Sequence, residues 1–207
     1  MHIFLPNQNF KLYLPMRNCM AVLLLLVLSV TKSYGQPASL SWALTADAVA
    51  VPSGNVTGGD QASIGVGANT YIADGVSSDN WATGASQDAW KYYEFTVSPT
   101  VNYNLSITDI SIDNNTDGIS GTVLIQYAYD AAFTSPVTVG SSFAVSTGAS
   151  STTNFNSLSI SVNNGQTLYI RVFAWDIENS SKFFNAKNFT VSGNTVLCLP
   201  DVSNFST

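Results

Sequence analysis

Histidine is nearly absent from this 207-residue sequence, and its single copy is His2. A Ser-His-Asp or Cys-His arrangement therefore has no base to build on in the body of the chain. Histidine-ligated zinc and non-haem iron sites are excluded on the same ground. Cysteine is almost as scarce: Cys19 and Cys198 are the only two. If Cys19 leaves with a processed leader, Cys198 stands alone and cannot staple the fold. It is then free, or its partner lies in another chain or in sequence beyond Thr207. No Gly-Lys-Ser/Thr phosphate cradle occurs, no internal repeat is visible, and no stretch carries a convincing helical stripe.

Basic residues are few as well, and their distribution matters more than their number. Lys11 and Arg17 precede an apolar run from Met20 to Val30, and Ser33-Tyr34-Gly35 follows with small residues where a signal peptidase reads. This is the pattern of an export signal over residues 1–35, with cleavage expected before Gln36. The apolar run is about half of the ~20 residues a spanning helix needs, so membrane insertion after cleavage is not expected. Cys19 precedes the run, the wrong side for lipidation. From Gln36 onward the chain holds four bases (Lys91, Arg171, Lys182 and Lys187) against all thirteen acids, a formal charge of −9. Nucleic acid and anionic membrane surfaces are poor partners for such a chain, because phosphate binding needs clustered Lys and Arg. Location outside the cell, secreted or on its surface, follows from the leader. The remaining length suffices for one domain with a real core.

What the mature chain does have is short runs of period-two alternation. Leu158, Ile160 and Val162 alternate with serines; Asn163-Asn164-Gly165 supplies a turn; Leu168, Ile170, Val172 and Ala174 then alternate with Tyr169, Arg171, Phe173 and Trp175. The stretch Ser157 to Asp176 reads as a β-hairpin. Strands are further predicted at 40–44, 71–73, 90–97, 103–112, 122–129, 137–139, 143–145 and 183–192. A parity change between Ile107 and Ile110 predicts a β-bulge near Thr108-Asp109. Residues 46–70 read as short edge strands and loops, Asp74 to Asp88 as a long polar connection carrying Trp81, and 148–154 as a Ser/Thr loop. Regular short strands without helices predict an all-β, antiparallel sandwich, jelly-roll-like rather than immunoglobulin-like, since a Cys–Trp–Cys framework is missing. The module is expected over residues 36–193, with a linker-like tail over 194–207 set off by Gly193 and Pro200.

Three constellations could carry function. The first is aromatic: Trp90 and Tyr92 share a strand face with Glu94, and Tyr169 and Trp175 share one with Arg171. Sugar rings stack their C–H faces on such side chains, so Trp81, Trp90, Tyr92, Tyr169 and Trp175 are candidate carbohydrate contacts, with loop Trp81 expected to be the most exposed. The second is Glu94 with Arg171. Each is a lone charge flanked by aromatics in a strand, so a structural ion pair is expected, because an unpaired buried charge is costly. The third is Asp113-Asn114-Asn115-Thr116-Asp117-Gly118, which matches the start of a calcium loop and nominates Asp113, Asn115 and Asp117. Position twelve is Leu124 rather than Glu and the flanks read as strands, so the alternative is a polar turn between Ile112 and Val123. Most acids sit in loops beside Asn and Gly, where they make turn hydrogen bonds; paired carboxylates for glycoside cleavage are not displayed.

In order along the chain, Trp42, Trp90 with Tyr92-Tyr93-Glu94-Phe95-Thr96-Val97, Tyr127-Ala128-Tyr129-Asp130 with Phe133-Thr134, Gly165-Gln166-Thr167-Leu168-Tyr169-Ile170-Arg171-Val172 and Val191-Ser192-Gly193 resemble a β-sandwich module of secreted Bacteroidetes proteins. Such modules accompany pectate-lyase-like or other polysaccharide-active domains, often with a type IX secretion sorting domain. The resemblance implies an accessory module that is not itself an enzyme, and further domains beyond Thr207. Together these readings favour a secreted, non-catalytic, polysaccharide-binding module. The alternatives are a structural or adhesive spacer without ligand, and a carboxylate-based lyase or hydrolase.

Overall fold

The computed structural model describes residues 35–198. The export-signal reading, with His2 and Cys19, and the end of the tail lie outside the described residues. Among the described residues every regular element is a strand. One antiparallel sheet has eight: β1 (Gln36–Trp42), β2 (Val51–Ser53), β5 (Thr70–Ile72), β6 (Gly75–Ser78), β8 (Tyr103–Thr116), β12 (Ser151–Phe155), β13 (Ile160–Val162) and β15 (Phe184–Leu197). The other has seven: β3 (Val56–Thr57), β4 (Ala62–Ile64), β7 (Tyr92–Pro99), β9 (Ser120–Ala128), β10 (Val137–Thr138), β11 (Phe143–Ser146) and β14 (Leu168–Trp175). The first runs β12-β8-β15-β1-β2 and the second β10-β9-β14-β7-β3, and the two form a jelly-roll-like sandwich.

Alternation decides which side chains fill the space between the sheets. From β7 come Tyr93, Phe95 and Val97; from β14, Leu168, Ile170, Val172 and Ala174; from β15, Phe184, Ala186, Phe189 and Val191, all buried. Two aromatic clusters form where β7 faces β15. Phe95 and Phe189 stack at 3.9 Å between ring centroids, with Trp42 edge-on to Phe95 at 5.1 Å. Trp81 meets Tyr93 at 4.9 Å and Phe184 at 5.3 Å, both edge-on. Each such pair adds about 0.5–1.5 kcal/mol to the area it buries. Among the described residues the core runs from Ala38 to Val191.

Several expectations are corrected. Ser157 to Asp176 is not a hairpin: β13 pairs with β8 in one sheet while β14 lies between β7 and β9 in the other. The local turn is real, with Gln166 N–H donating to Asn163 O at 2.9 Å and Gly165 at φ 80°. Both strands aim their aliphatic faces into the same interior, and that is satisfied equally well from opposite sheets. The polar connection after Asp74 contains β6, buried along its length because it pairs with β15 between neighbours. The Ser/Thr stretch before Leu158 contains β12, an edge strand whose polar side chains face solvent. β15 continues through Leu197 beside β8 and passes the Gly193 boundary where the tail was expected to begin.

The bulge near Thr108-Asp109 is present. The β8–β15 register steps from Ser192↔Asp109 to Gly193↔Ile107 and skips Thr108. At that step a Cβ on Gly193 would sit 2.0 Å from the Ser106 carbonyl oxygen. Gly193→Ala is expected to lower stability by about 1–3 kcal/mol, read as a drop in urea midpoint; an unchanged midpoint would contradict this close approach.

Tyr93 is fully buried and its hydroxyl donates to Phe184 O at 3.2 Å. Burial pushes its phenol well above the ordinary value of 10.0. The folded state therefore holds this proton more tightly than the unfolded one. The resulting stabilisation is complete below pH ~10 and drains away as pH rises above it. The urea midpoint should fall on the alkaline side of pH 10, and Tyr93→Phe should flatten that fall.

Candidate functional site

The outward faces of β7, β14 and β9 carry the opposite parity from the core. Register places Glu94 beside Arg171 and Arg171 beside Gln126, with Ala62 and Thr138 extending the row to β4 and β10. Arg171 Nε donates to Glu94 Oε2 at 2.7 Å, and the two side chains are 11% and 19% exposed. Arg171 Nη2 donates to Ala131 O at 3.0 Å. The guanidinium carbon lies 4.0 Å from the Tyr92 ring centroid and 4.1 Å from that of Phe133, so the charge is held between two π faces. The expected ion pair is thus present, with an aromatic sandwich added.

Two loops wall the space above this row. One descends from β9 and is tied by Asp130, whose carboxylate accepts from Thr134 N–H at 3.2 Å and Thr134 Oγ1–H at 3.0 Å. This turn holds Phe133 at φ 58°, a strained value for a bulky residue, and lays its ring over Arg171. The other loop leads into β7. There Asp88 Oδ1 accepts from Trp90 N–H at 2.9 Å. Gly65, at φ 67°, lets its backbone approach the Trp90 carbonyl, where a Cβ would come within 1.9 Å.

Between the loops lies a cleft of about 270 Å³. Arg171, Gln126 and Phe173 form its floor, Gln87 and Trp90 one wall, and Phe133 and Pro136 the other. Gln126 is fixed by Gln87 Nε2 donating to its Oε1 at 3.4 Å and by its own Nε2 donating to Thr138 Oγ1 at 3.3 Å. Burial raises the Tyr92 phenol above its usual value; Arg171 offsets part of this and Glu94 adds to it. The neutral hydroxyl is therefore the form present beside the pair.

The sequence candidates separate sharply here. Trp90 is 77% exposed on the cleft wall. Tyr92 is buried beneath Arg171 as part of its sandwich. Tyr169 and Trp175, half-buried, share the outward face of β14 but do not line the cleft. Trp81, expected to be the most exposed, is 1% exposed. It follows β6 into the interior, and its indole N–H is satisfied by Ser78 O at 2.7 Å.

The proposed calcium loop is not a loop. Asp113 to Thr116 continue β8, so alternate side chains lie on opposite faces of a strand instead of wrapping a centre. Asp113 accepts from Thr152 and Asn188, Asn115 is bonded to Gly148 and Asn185, and Asp117 accepts from Phe183 N–H. Among the described residues no group of three His, Cys, Asp or Glu is placed to hold a metal ion. Cys198 is free and half-buried. Gln126, Gln87 and Phe133 were not among the site candidates read from the sequence. Gln126 shares the outward phase of β9 and was open to a parity argument; Gln87 and Phe133 sit in loops with no period to follow.

No protein-family model matches the chain, and no curated protein matches it. Among solved structures, a family two carbohydrate esterase from Cellvibrio japonicus aligns with 80% of this chain and 36% of its own length, at 9% identity and a TM-score of 0.38. A carbohydrate binding module of family 29 aligns with 74% of this chain and 88% of its own, at 12% identity and 0.40. A xylanase from Cellvibrio japonicus, solved with xylopentaose, aligns with 70% and 27%, at 11% identity and 0.36. The chain thus spans about a third of the esterase.

A double-mutant cycle tests the energetics of the site. Glu94→Gln and Arg171→Met are each expected to destabilise by about 1–3 kcal/mol, and the double variant by less than their sum. Strictly additive losses would show that the two charges do not act as a unit.

Proposed function

We propose that this is a secreted, non-catalytic module that binds polysaccharide at the cleft over Arg171. The observation that carries the reading is Trp90. Trp90 is 77% exposed and borders a cleft floored by fixed polar groups, so an open aromatic face and polar partners converge on one site. A sugar ring stacked on Trp90 directs its hydroxyls at the Gln87 and Gln126 carboxamides and at the guanidinium edge of Arg171. These groups are held in place before any ligand arrives, so little side-chain freedom is lost on binding. The volume, at the lower end of ligand-pocket sizes of ~300 Å³, suits one unit of a chain passing across the sheet. Glu94 is tied to Arg171 rather than poised against a second carboxylate, which supports binding over cleavage. A role beside a polysaccharide-active domain in a longer polypeptide agrees with this reading.

The spacer alternative draws on a different observation: of the five aromatic candidates, Trp81 and Tyr92 are covered and Tyr169 and Trp175 half-covered. Affinity electrophoresis of the chain from Gln36 through gels cast with pectin, xylan, cellulose derivatives and alginate separates the two. Retardation in at least one gel is expected. Trp90→Ala should weaken it about tenfold or more, the loss of one stacking platform, with an unchanged melting temperature. Trp81→Ala should instead unfold the protein. Folded protein retarded in none of the gels would favour the spacer.

A further inference from the structure

On the reading that polysaccharide binds over Arg171, the charges around the cleft decide which class of polysaccharide suits it. Among the described residues that line it, Arg171 is the one base. Its charge is already answered. Glu94 Oε2 lies 2.7 Å from its Nε, its Nη2 donates to Ala131 O, and the rings of Tyr92 and Phe133 cover its two faces. An incoming carboxylate would meet a neutralised ion pair. The side-on fork of Nε and Nη2, which holds carboxylates best, is taken by Glu94 and Ala131.

The two walls add acids rather than bases. The stretches Gln87 to Trp90 and Tyr129 to Pro136 contain Asp88 and Asp130 and no Lys, Arg or His. Lys91 follows Trp90 but does not line the cleft, and its Nζ donates to Asn80 Oδ1 at 3.2 Å. The other two bases are spent on the first sheet: Lys182 Nζ donates to Asp117 O, and Lys187 in β15 lies 3.7 Å from Asp74. From Gln36 onward four bases stand against thirteen acids. At low ionic strength that excess repels a polyanion approaching the sheet.

The polar groups that do face the cleft suit hydroxyls. Gln87 and Gln126 are half-buried and line it. A carboxamide offers N–H donors and a carbonyl acceptor, and a sugar hydroxyl, which both donates and accepts, matches either end. A carboxylate only accepts and would set its charge against the amide oxygens. Burying it there without a cation leaves it short of partners, whereas a hydroxyl in the same place loses little. We propose that the cleft selects neutral polysaccharides and discriminates against uronate-rich ones, because its one guanidinium is spent on Glu94 and its remaining polar groups are amides.

The test compares polymers that share a backbone and differ in charge. Gels are cast with hydroxyethylcellulose or carboxymethylcellulose, with fully methyl-esterified or de-esterified homogalacturonan, and with arabinoxylan or glucuronoxylan. In at least one pair the neutral member is expected to retard the protein, with an affinity at least about tenfold above that for its charged counterpart. Trp90→Ala should abolish that retardation, and added salt should narrow the gap within the pair by screening the repulsion. Retardation that depends on Trp90 but is equal or stronger in the charged member overturns the neutral class and leaves the cleft reading standing. Retardation in none of the gels, or retardation that Trp90→Ala leaves unchanged, overturns the cleft reading and the proposal with it.

Discussion

The structure depends on a single constraint: side chains along a strand point alternately to opposite faces. In β7 and β14 this rule divides labour completely. Tyr93, Phe95 and Val97 with Leu168, Ile170 and Val172 bind the sheets together. Their immediate neighbours Tyr92, Glu94, Arg171 and Phe173 build the outer row. A slip of one residue in β7 would turn Glu94 inward and Phe95 outward, and a slip in β14 would turn Arg171 inward and Ile170 outward. Core packing and site geometry are thus two readings of the same register, and neither can drift without the other.

Arg171 shows how a charge becomes tolerable on a largely covered surface. One carboxylate, one backbone carbonyl and two ring faces surround it. Its aromatic covers are rigid and bring little flexibility, so the cleft they border keeps its shape. The strained backbone at Phe133 belongs to the same arrangement, because the Asp130 turn fixes where that ring must lie.

The all-β class, the inward face of β14, the bulge at Thr108 and the pairing of Glu94 with Arg171 were all legible in the sequence. Each leaves a periodic or charge-balance signature within a few residues. What was not legible has equally physical causes. β6 is covered along its whole length, so Val76, Ser77 and Ser78 show no alternation and the segment passes for a loop that exposes Trp81. A turn such as Asn163-Asn164-Gly165 reports that the chain reverses, not which sheet it re-enters. β12 pairs at an edge with threonines and serines, and its composition mimics a linker. The D-x-N-x-D spacing describes a metal loop only when the backbone curls, and here Asp113 to Thr116 are drawn out along β8, with Asp117 in the bend that follows. Gln87 and Phe133 reach the cleft from loops through long-range docking, to which no local pattern points.

The centre of the first sheet joins the beginning of the domain to its end. Gln36 lies opposite Thr195, and Thr195 Oγ1 donates to the Gln36 carbonyl across 159 residues of chain. Phe189, which stacks on Phe95, arrives with that same last strand. Closing so long a loop comes before most of the reward, so folding belongs to the slow range of ms to s typical of sandwiches dominated by distant pairings. A chain still being synthesised, or threaded end-first through a narrow pore, holds neither aromatic cluster complete until β15 emerges. Until that last strand is in place, no aromatic stack locks one sheet against the other.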